Sequence, residues 1–378
     1  MDDKDYVRSC AAELGFSLCA VATVTPAPHA EFFLRWLDDG CAAGMAYLQR
    51  RAAKRLAPAE LLPGARSWIS LGFPYRPVRP EVHDWRRELR GRIAAYALGS
   101  DYHDEIHQRL RLLICRMQER APHIRCRPFV DTGPVLERDV AWSAGLGWFG
   151  RNTNLLHRRA GSWFFLAEVL TTWELEPDPP ARDHCGSCTR CLAACPTGAL
   201  ETGYRLDARK CISYWTIEHR GPIPHFMRPA LGNWVFGCDD CQDACPWNEK
   251  WARLHGLDRS AEAVPYLPEL LMLDEAAFRA RFRHTAVYRA RREGLARNAA
   301  VVLGNTRNPE AVPPLAQALE GDPSPVVRGH AAWALGQIDD RGAERALRRA
   351  YERERDTEVR EEICLALGAA RSIPRSGS

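Results

Sequence analysis

The feature that most constrains this chain is a run of cysteines between Cys185 and Pro246. Its first part has the spacing C-x2-C-x2-C-x3-C-P, which bacterial ferredoxins use to bind iron–sulfur clusters. Its second part has a C-x2-C pair and a third cysteine before Pro246, and Cys211 lies in the gap between the two parts. Eight thiolates at this spacing predict two [4Fe–4S] clusters and therefore an electron-carrying protein.

The ferredoxin pattern also predicts how the ligands divide, because the fourth cysteine of the run binds the other cluster. The ligands of one predicted cluster are Cys185, Cys188, Cys191 and Cys245, and those of the other are Cys195, Cys211, Cys238 and Cys241.

Structural zinc and disulfides are the alternatives for these cysteines. Zinc sites favour two separated C-x2-C pairs, whereas here four cysteines fall within eleven residues and each C-P doublet has its ferredoxin position. Disulfides need an oxidising compartment, and the acidic, polar start of the chain is unlike an export signal. The other six cysteines are scattered, mostly among apolar neighbours, and are predicted to be buried thiols: Cys10, Cys19, Cys41, Cys115, Cys126 and Cys364.

Composition indicates an ordinary globular protein with room for two or three domains. The chain has 378 residues, 46% hydrophobic and 26% charged, and a formal net charge of +4 that by itself implies no partner. No apolar run approaches the length of a membrane span. We therefore expect a cytoplasmic protein without a membrane segment, and a monomer, because nothing in the sequence points to a symmetric interface.

The first 175 residues read as strands alternating with helices, which predicts an α/β domain. The main helices are expected at residues 5–14 and 104–120, and the strands at 17–23, 67–73, 127–130 and 163–170. Asp131 directly follows one of these strands, and polar residues at strand ends line clefts in α/β folds. Asp131 is therefore the first candidate for a catalytic acid, and a helix N-cap or turn residue is the alternative.

The last third of the sequence is helical and repetitive. Leu-Gly recurs at Leu303-Gly304, Leu335-Gly336 and Leu367-Gly368, which predicts a short HEAT-like array of helical hairpins. The segment leading into it combines arginines with Phe278, Phe282, His284 and Tyr288, a pattern typical of nucleic-acid binding. A solvated helix face is the alternative, although such a face usually mixes both charge signs. The candidate phosphate-binding residues are Arg279, Arg281, Arg283, Arg289, Arg291, Arg292 and Arg297.

Taken together, the order of these features resembles the epoxyqueuosine reductase family. The resemblance is carried by residues 131–138 (DTGPVLER), 147–152 (GWFGRN) and 211–223, by the double cluster motif and by the arginine-rich helical tail. It implies an oxidoreductase that reduces the epoxide of epoxyqueuosine, in the anticodon loop of tRNA, to the alkene of queuosine. It also implies that a low-potential cytosolic donor supplies electrons, which pass through the two clusters to cobalamin.

The same resemblance implies a fold and a set of site residues. The fold would be an α/β cobalamin-binding domain over residues 1–175, an inserted two-cluster ferredoxin-like domain over 176–255, and an all-α HEAT-like tRNA-binding domain over 256–378. Asp131 corresponds to the proposed proton donor, and we expect burial to raise its pKa so that it can protonate the departing oxygen. The residues expected to contact the corrinoid are Arg55, Tyr96, Asp131, Asn152, Ser213 and Arg220.

Two rival functions are compatible with the cysteines. One is a reductive dehalogenase-like corrinoid iron–sulfur enzyme acting on a small molecule, which would have no use for the basic helical tail. The other is a non-enzymatic ferredoxin fused to a docking module, which leaves the large N-terminal domain unexplained.

Overall fold

A computed structural model describes residues 1–77, 84–256 and 261–372, so residues 257–260 and 373–378 of the predicted repeat domain lie outside the described residues. The strands are β1 (Leu18–Thr23), β2 (Ser67–Pro74), β3 (Arg92–Ile93), β4 (Cys126–Phe129), β5 (Trp148–Phe149), β6 (Leu155–Leu156), β7 (Phe164–Thr171) and β8 (Trp234–Phe236). The α-helices are α1 (Asp3–Glu13), α2 (Ala30–Asp38), α3 (Ala46–Arg50), α4 (Ala52–Leu56), α5 (Tyr102–Arg120), α6 (Glu137–Ser143), α7 (Arg190–Ala194), α8 (Asp240–Asp243), α9 (Pro246–His255), α10 (Leu267–Leu271), α11 (Glu275–Phe282), α12 (Arg291–Thr306), α13 (Val312–Gly321), α14 (Pro325–Gly336), α15 (Arg341–Arg353) and α16 (Thr357–Ser372).

The chain divides into two compact units, each assembled from separated segments. The first unit comprises Met1–Pro77, Ser100–Arg209 and Asp239–Leu257, and the second comprises Val78–Gly99, Lys210–Cys238 and Asp258–Ser378. The predicted ranges 1–175, 176–255 and 256–378 follow the sequence motifs rather than these contacts, and they stay a prediction.

A four-stranded sheet with strand order β1-β2-β7-β4 organises the first unit. All of its neighbouring strands pair antiparallel. The expected helices and strands are present, but the strands are antiparallel and do not form the parallel βαβ units that an α/β pattern suggests. Alternation of helices and strands along the sequence does not determine strand direction. The helices α1 and α5 pack against this sheet through a core that includes Val7, Ile69, Leu110, Leu113 and Val169.

Two connections of the first unit hold residues singled out by the sequence. The loop between β4 and α6 contains Asp131, which has a positive φ of 51°. After α6, β5 and β6 form a small antiparallel hairpin in which Trp148 pairs with Leu156. Both connections follow directly from elements of the sheet domain, which gives their side chains a rigid support.

The second unit is mainly helical, and its predicted repeat corresponds to close helix packing. A Cβ atom added at Gly304 on α12 would lie 2.8 Å from the Ala334 Cα on α14, and one added at Gly336 would lie 2.8 Å from the Ala366 Cα on α16. Any larger residue would push these helices apart. The spacing of the Leu-Gly pairs thus corresponds to the close packing of α12 against α14 and of α14 against α16.

All fourteen cysteines are free thiols in the structure. Of the six predicted to be buried, Cys10 and Cys41 are buried, and Cys19 and Cys126 are partly buried. The prediction is wrong for Cys115 and Cys364, which are exposed on α5 and α16, because apolar neighbours in sequence do not define which side of a helix a residue occupies. Across the described ranges, no helix has both the length and the apolarity needed to cross a membrane.

Candidate cluster site and active site

Four predicted cluster ligands line one cavity in the first unit. Cys185, Cys188, Cys191 and Cys245 surround it together with side chains that include Arg151, Asn152, His184 and Trp247. The first three thiols come from the segment around the start of α7, and Cys245 comes from the residue that precedes α9. A cubane needs four thiolates spread around a volume, because each thiolate binds a different iron atom. The cavity therefore fits a [4Fe–4S] cluster bound by this set.

The thiols of this cavity must lose their protons when a metal centre binds. Burial raises the pKa of the Cys185, Cys191 and Cys245 thiols, so the apo site favours neutral sulfur, and metal binding would release the protons. Within the described residues, no three His, Cys, Asp or Glu side chains are placed to hold a single metal ion. The ligands of a cubane stand farther apart than the ligands of one ion.

The other predicted ligand set is divided between the two units. Cys195 and Cys241 belong to the first unit, whereas Cys211 and Cys238 belong to the second. All four thiols are partly exposed. Their assignment to one cluster stays a prediction from the sequence spacing.

A second group of polar residues in the first unit surrounds Asp131. The Tyr102 hydroxyl donates a hydrogen bond to the Asp131 carboxylate over 3.2 Å, and His103 Nε2 lies 3.3 Å from the same oxygen. On its other side, His103 Nδ1 lies 2.7 Å from Asp101 Oδ1, and Asp101 is the N-cap of α5. The turn at residues 101–103 and the loop after β4 are thus brought together as one cluster of proton-exchanging groups.

His103 is positioned to exchange a proton with Asp131. Burial lowers the pKa of His103, but its hydrogen bonds to Asp131 and Asp101 outweigh this effect, so the pKa is raised overall. A protonated His103 donates to both carboxylates and fixes their orientation. Sequence reasoning missed this role, since a histidine in a helix-capping turn is a common surface feature.

The burial expected of Asp131 is not found in the protein alone, because 53% of its side chain is exposed. The carboxyl of this segment with a strongly raised pKa is Glu137. Burial, and after it the Asp131 carboxylate, raises the pKa of Glu137 to about 8. Glu137 Oε1 also accepts a hydrogen bond from the Asp131 backbone N–H over 2.6 Å. Glu137 is therefore protonated at neutral pH and holds the left-handed backbone of Asp131 in place.

Two of the residues in the first unit that are predicted to contact the corrinoid donate hydrogen bonds to nearby backbone carbonyl oxygens. Arg55 is buried and donates to the carbonyl oxygens of Gly133 and Val135 over 2.9 and 3.0 Å. Its Nε atom is buried without a hydrogen-bond partner among the described residues. Asn152 is also buried, and its amide donates to the Cys241 carbonyl oxygen over 3.3 Å.

The other predicted corrinoid contacts belong to the second unit. Tyr96 packs near Phe236, with ring centroids 6.2 Å apart. Ser213 immediately precedes a short π-helix, Tyr214–Glu218. Arg220 donates to the carbonyl oxygens of Ile217 and Arg289 over 3.0 and 2.6 Å, so it links this segment to the start of the helical array.

The arginine-rich segment separates into exposed and buried residues. Five of the seven predicted phosphate contacts are exposed: Arg279, Arg281, Arg283, Arg289 and Arg291. Three of these have an acidic partner, Glu275 for Arg279, Glu269 for Arg281 and Glu218 for Arg289. Tyr288 is exposed beside them, whereas Phe278 and Phe282 are buried in the core and offer no stacking surface, contrary to the prediction.

The prediction of a phosphate contact does not fit Arg292 and Arg297. Arg292 is buried and forms a bidentate ion pair with Asp322 at 2.6 and 2.8 Å. Arg297 is only 1% exposed and donates to the carbonyl oxygens of Trp215, His219 and Gly221. Both guanidinium groups are hydrogen-bonded within the second unit and are not free to contact a phosphate.

Fold and site together define a double-cluster iron–sulfur protein that carries a HEAT-repeat array. Residues 184–248 match a family described as a 4Fe-4S double cluster binding domain, and residues 285–368 match HEAT repeats, which confirms both predictions. Residues 55–132 match a third family, described as epoxyqueuosine reductase QueG, DUF1730.

Curated proteins and solved structures agree with these matches over nearly the full chain. An epoxyqueuosine reductase of Xanthomonas campestris is 41% identical, covering 88% of this chain and 95% of that protein, and one of Pseudomonas aeruginosa is 42% identical, covering 88% and 92%. A crystal structure of epoxyqueuosine reductase with an epoxyqueuosine-modified tRNA-Tyr stem loop has a TM-score of 0.91 at 33% identity, covering 98% of this chain and 99% of that one. This chain belongs to the epoxyqueuosine reductase family.

Proposed function

We propose that this chain reduces the epoxide of epoxyqueuosine in tRNA to the alkene of queuosine, using two [4Fe–4S] clusters and cobalamin. The observation that carries the proposal is the similarity over nearly the whole chain to a structure solved with the modified tRNA stem loop. A tRNA substrate also favours this function over a small-molecule dehalogenase, and it favours a cytoplasmic location. The monomeric state and the low-potential electron donor remain predictions from the sequence.

Cobalamin is compatible with the residues of the first unit. The buried Nε of Arg55 lacks a partner among the described residues, and a polar group of a bound cofactor would satisfy it. His103 is engaged by Asp101 and Asp131, so it is not counted among the residues that would hold the cofactor. The residues that would hold it in this unit are Arg55, Asp131 and Asn152. Bound cobalamin would supply a metal centre able to store the two electrons that epoxide removal requires.

The protein's own contribution is to deliver a proton where the oxygen leaves. Removing the epoxide oxygen as water consumes two electrons and two protons. Asp131 would donate to the departing oxygen, His103 would return a proton to Asp131, and Tyr102 would keep the carboxylate oriented. A bound cofactor and nucleotide would cover the half-exposed Asp131 side chain, and this burial would favour its protonated form.

Exposed arginines of the second unit would bind the phosphates of the tRNA. We restrict the predicted surface to Arg279, Arg281, Arg283, Arg289 and Arg291, with Tyr288 as a stacking platform. Enzymes that modify a base bind it unstacked, so a single-stranded loop suits this chemistry better than a duplex.

Replacement of Asp131 by Asn tests the proton-donor role. Because Asn has the size and shape of Asp, the variant should retain its iron and still bind cobalamin. It should lose at least about two orders of magnitude in turnover, which is typical for loss of a general acid. The measurement is conversion of epoxyqueuosine to queuosine in tRNA under anoxic reducing conditions, followed by mass spectrometry of the nucleosides. Asp104→Asn, at an exposed position in the first turn of α5, is the matched control. Full turnover by Asp131→Asn would rule out the role.

A further inference from the structure

The glycine-rich segment at residues 145–152 has a position that the proposed reaction does not explain. It contains β5 and the start of the turn to β6, and several of its glycines are required by close contacts. A Cβ atom at Gly150 would lie 2.6 Å from Asn152 Oδ1, and one at Gly145, where φ is +75°, would collide with the Pro179 carbonyl oxygen. The contact at Gly145 places the start of this segment directly against the residues that lead to Cys185.

The hairpin places Trp148 against residues that line the four-cysteine cavity. Trp148 is 2% exposed and packs in a cluster with Cys185 and Cys245. Its ring makes edge contacts with Trp247 and His184, at centroid distances of 5.2 and 4.9 Å. The indole ring is therefore fixed beside two predicted ligands of the same cluster.

The indole N–H of Trp148 is buried and has no hydrogen-bond partner among the described residues. Trp148 packs in the same cluster as Cys185. A metal-bound thiolate is a stronger hydrogen-bond acceptor than a neutral thiol, because it carries negative charge. A cluster-bound Cys185 thiolate would therefore supply the acceptor that the indole N–H lacks.

We propose that Trp148 donates its indole N–H to the cluster-bound Cys185 sulfur and thereby raises the reduction potential of this cluster. The step affected is a one-electron reduction in which no bond is broken and no proton is transferred. The reduced cluster carries one more negative charge, so a hydrogen-bond donor at its sulfur stabilises the reduced form more than the oxidised form. Trp148 is a positioning and tuning residue, and the proposal rests on the cluster ligation described above, not on the identity of the substrate.

The test is an anoxic redox titration of the intact iron-loaded chain, followed by electron paramagnetic resonance without tRNA. Trp148→Phe should keep the iron content, and at a fixed solution potential it should lower the ratio of reduced to oxidised cluster by up to about tenfold, equivalent to 59 mV for one electron. The other cluster should titrate as in the unmodified protein. Loss of iron from Trp148→Phe would indicate that the substitution disrupts cluster binding itself. A defect in epoxide reduction alone would concern the proposed function and not this proposal.

Trp163→Phe is the matched control. Trp163 is also buried with an unsatisfied indole N–H, but its ring packs against Tyr75. An unchanged potential in Trp148→Phe, or an equal shift in Trp163→Phe, would overturn the proposal.

A second measurement keeps the proposal testable if Trp148→Phe does not assemble its clusters. The Trp247→Phe variant, labelled with ¹⁵N at the indole nitrogens, should show a magnetic coupling between an indole nitrogen and the reduced cluster, because Trp148 remains in place. Absence of that coupling would overturn the proposal.

Discussion

At the scale of single residues, the candidate active site contains two carboxyl groups, six residues apart in the sequence, that differ in environment. Asp131 is half-exposed and bound by Tyr102 and His103. Glu137 is held against the Asp131 backbone, with a pKa raised to about 8 by burial and by the Asp131 carboxylate. One carboxyl group is thus available to exchange protons, while the other fixes the loop.

Glu137 should make stability depend on pH in a defined direction. Because its pKa is higher in the folded chain than its ordinary value of 4.5, its stabilising contribution is full below that value and is lost as the pH rises toward 8. Glu137→Gln cannot ionise and keeps an oxygen acceptor for the Asp131 N–H. The melting temperature of the variant minus that of the unmodified protein should therefore increase as the pH rises from about 5.5 to about 8.5.

This comparison isolates Glu137 from the charged groups that face it, namely Asp131, His103, Arg138, Glu168 and Arg55, because all of them are present in both proteins. Glu119→Gln, at an exposed position on α5, is the control and should show a smaller dependence. A stability difference that stays constant across the range would mean that Glu137 remains an ordinary carboxylate.

At the scale of elements, the arginine-rich segment serves two purposes. Arg297 and its neighbour Asn298 anchor the segment around the π-helix by hydrogen bonds to the Trp215 and Thr216 carbonyl oxygens. Arg292 pairs with Asp322 between repeats, and Arg328 pairs with Glu354 one repeat later. Such ion pairs recur along a repeat array, so part of the arginine content belongs to the fold and not to RNA recognition.

Charge reversal should distinguish these roles. In the described part of the chain, the exposed Arg283 and Arg291 have no acidic partner within 4.0 Å, so the Arg283→Glu/Arg291→Glu variant should fold normally. It should bind the tRNA stem loop more weakly, and the slope of log affinity against log salt should fall by roughly one for each phosphate that is no longer neutralised. Fluorescence anisotropy at several salt concentrations measures both quantities.

The control for this prediction is Arg341→Glu/Arg345→Glu on α15, two exposed positions in the same unit. It changes the net charge by the same amount, so it accounts for long-range electrostatics. Equal losses of affinity in the two double variants would argue against a local phosphate-binding surface.

At the scale of the whole molecule, one cluster cavity joins distant parts of the chain. Cys185, Cys188 and Cys191 line it together with Cys245, and Cys195, the fourth cysteine of the first motif, is not among the described residues that do. The chain therefore returns to the first unit, through Asp239–Leu257, to complete this site.

Paired cysteine substitutions test this crossing directly. Cys185→Ser/Cys245→Ser disrupts a single predicted cluster and should retain about half of the iron, whereas Cys185→Ser/Cys195→Ser disrupts both and should lose nearly all of it. Iron is measured colorimetrically after anoxic reconstitution. Cys115→Ser, at an exposed thiol, should retain the full content. If the first four cysteines bound one cluster by themselves, the iron contents of the two double variants would be exchanged.

The sequence alone determined the features that depend on residue type at short spacing. The C-x2-C-x2-C-x3-C-P run specifies cluster ligands, the Leu-Gly repeat specifies stacked helices, and the helices and strands of the first unit follow their hydrophobic periodicity. Each of these signals is local, and local physical chemistry is sufficient to produce it.

Only the tertiary structure decided which side chains are available for chemistry. Arg291 and Arg297 are indistinguishable in a basic segment, yet one is exposed and the other is bound to the carbonyl oxygens of Trp215, His219 and Gly221. The hydrogen bond of Glu137 to the Asp131 backbone, and the packing of Trp148 in one cluster with Cys185, likewise arise from the folded chain. Burial and hydrogen-bond partners are set by residues distant in sequence, and for this reason no pattern within a short segment encodes them.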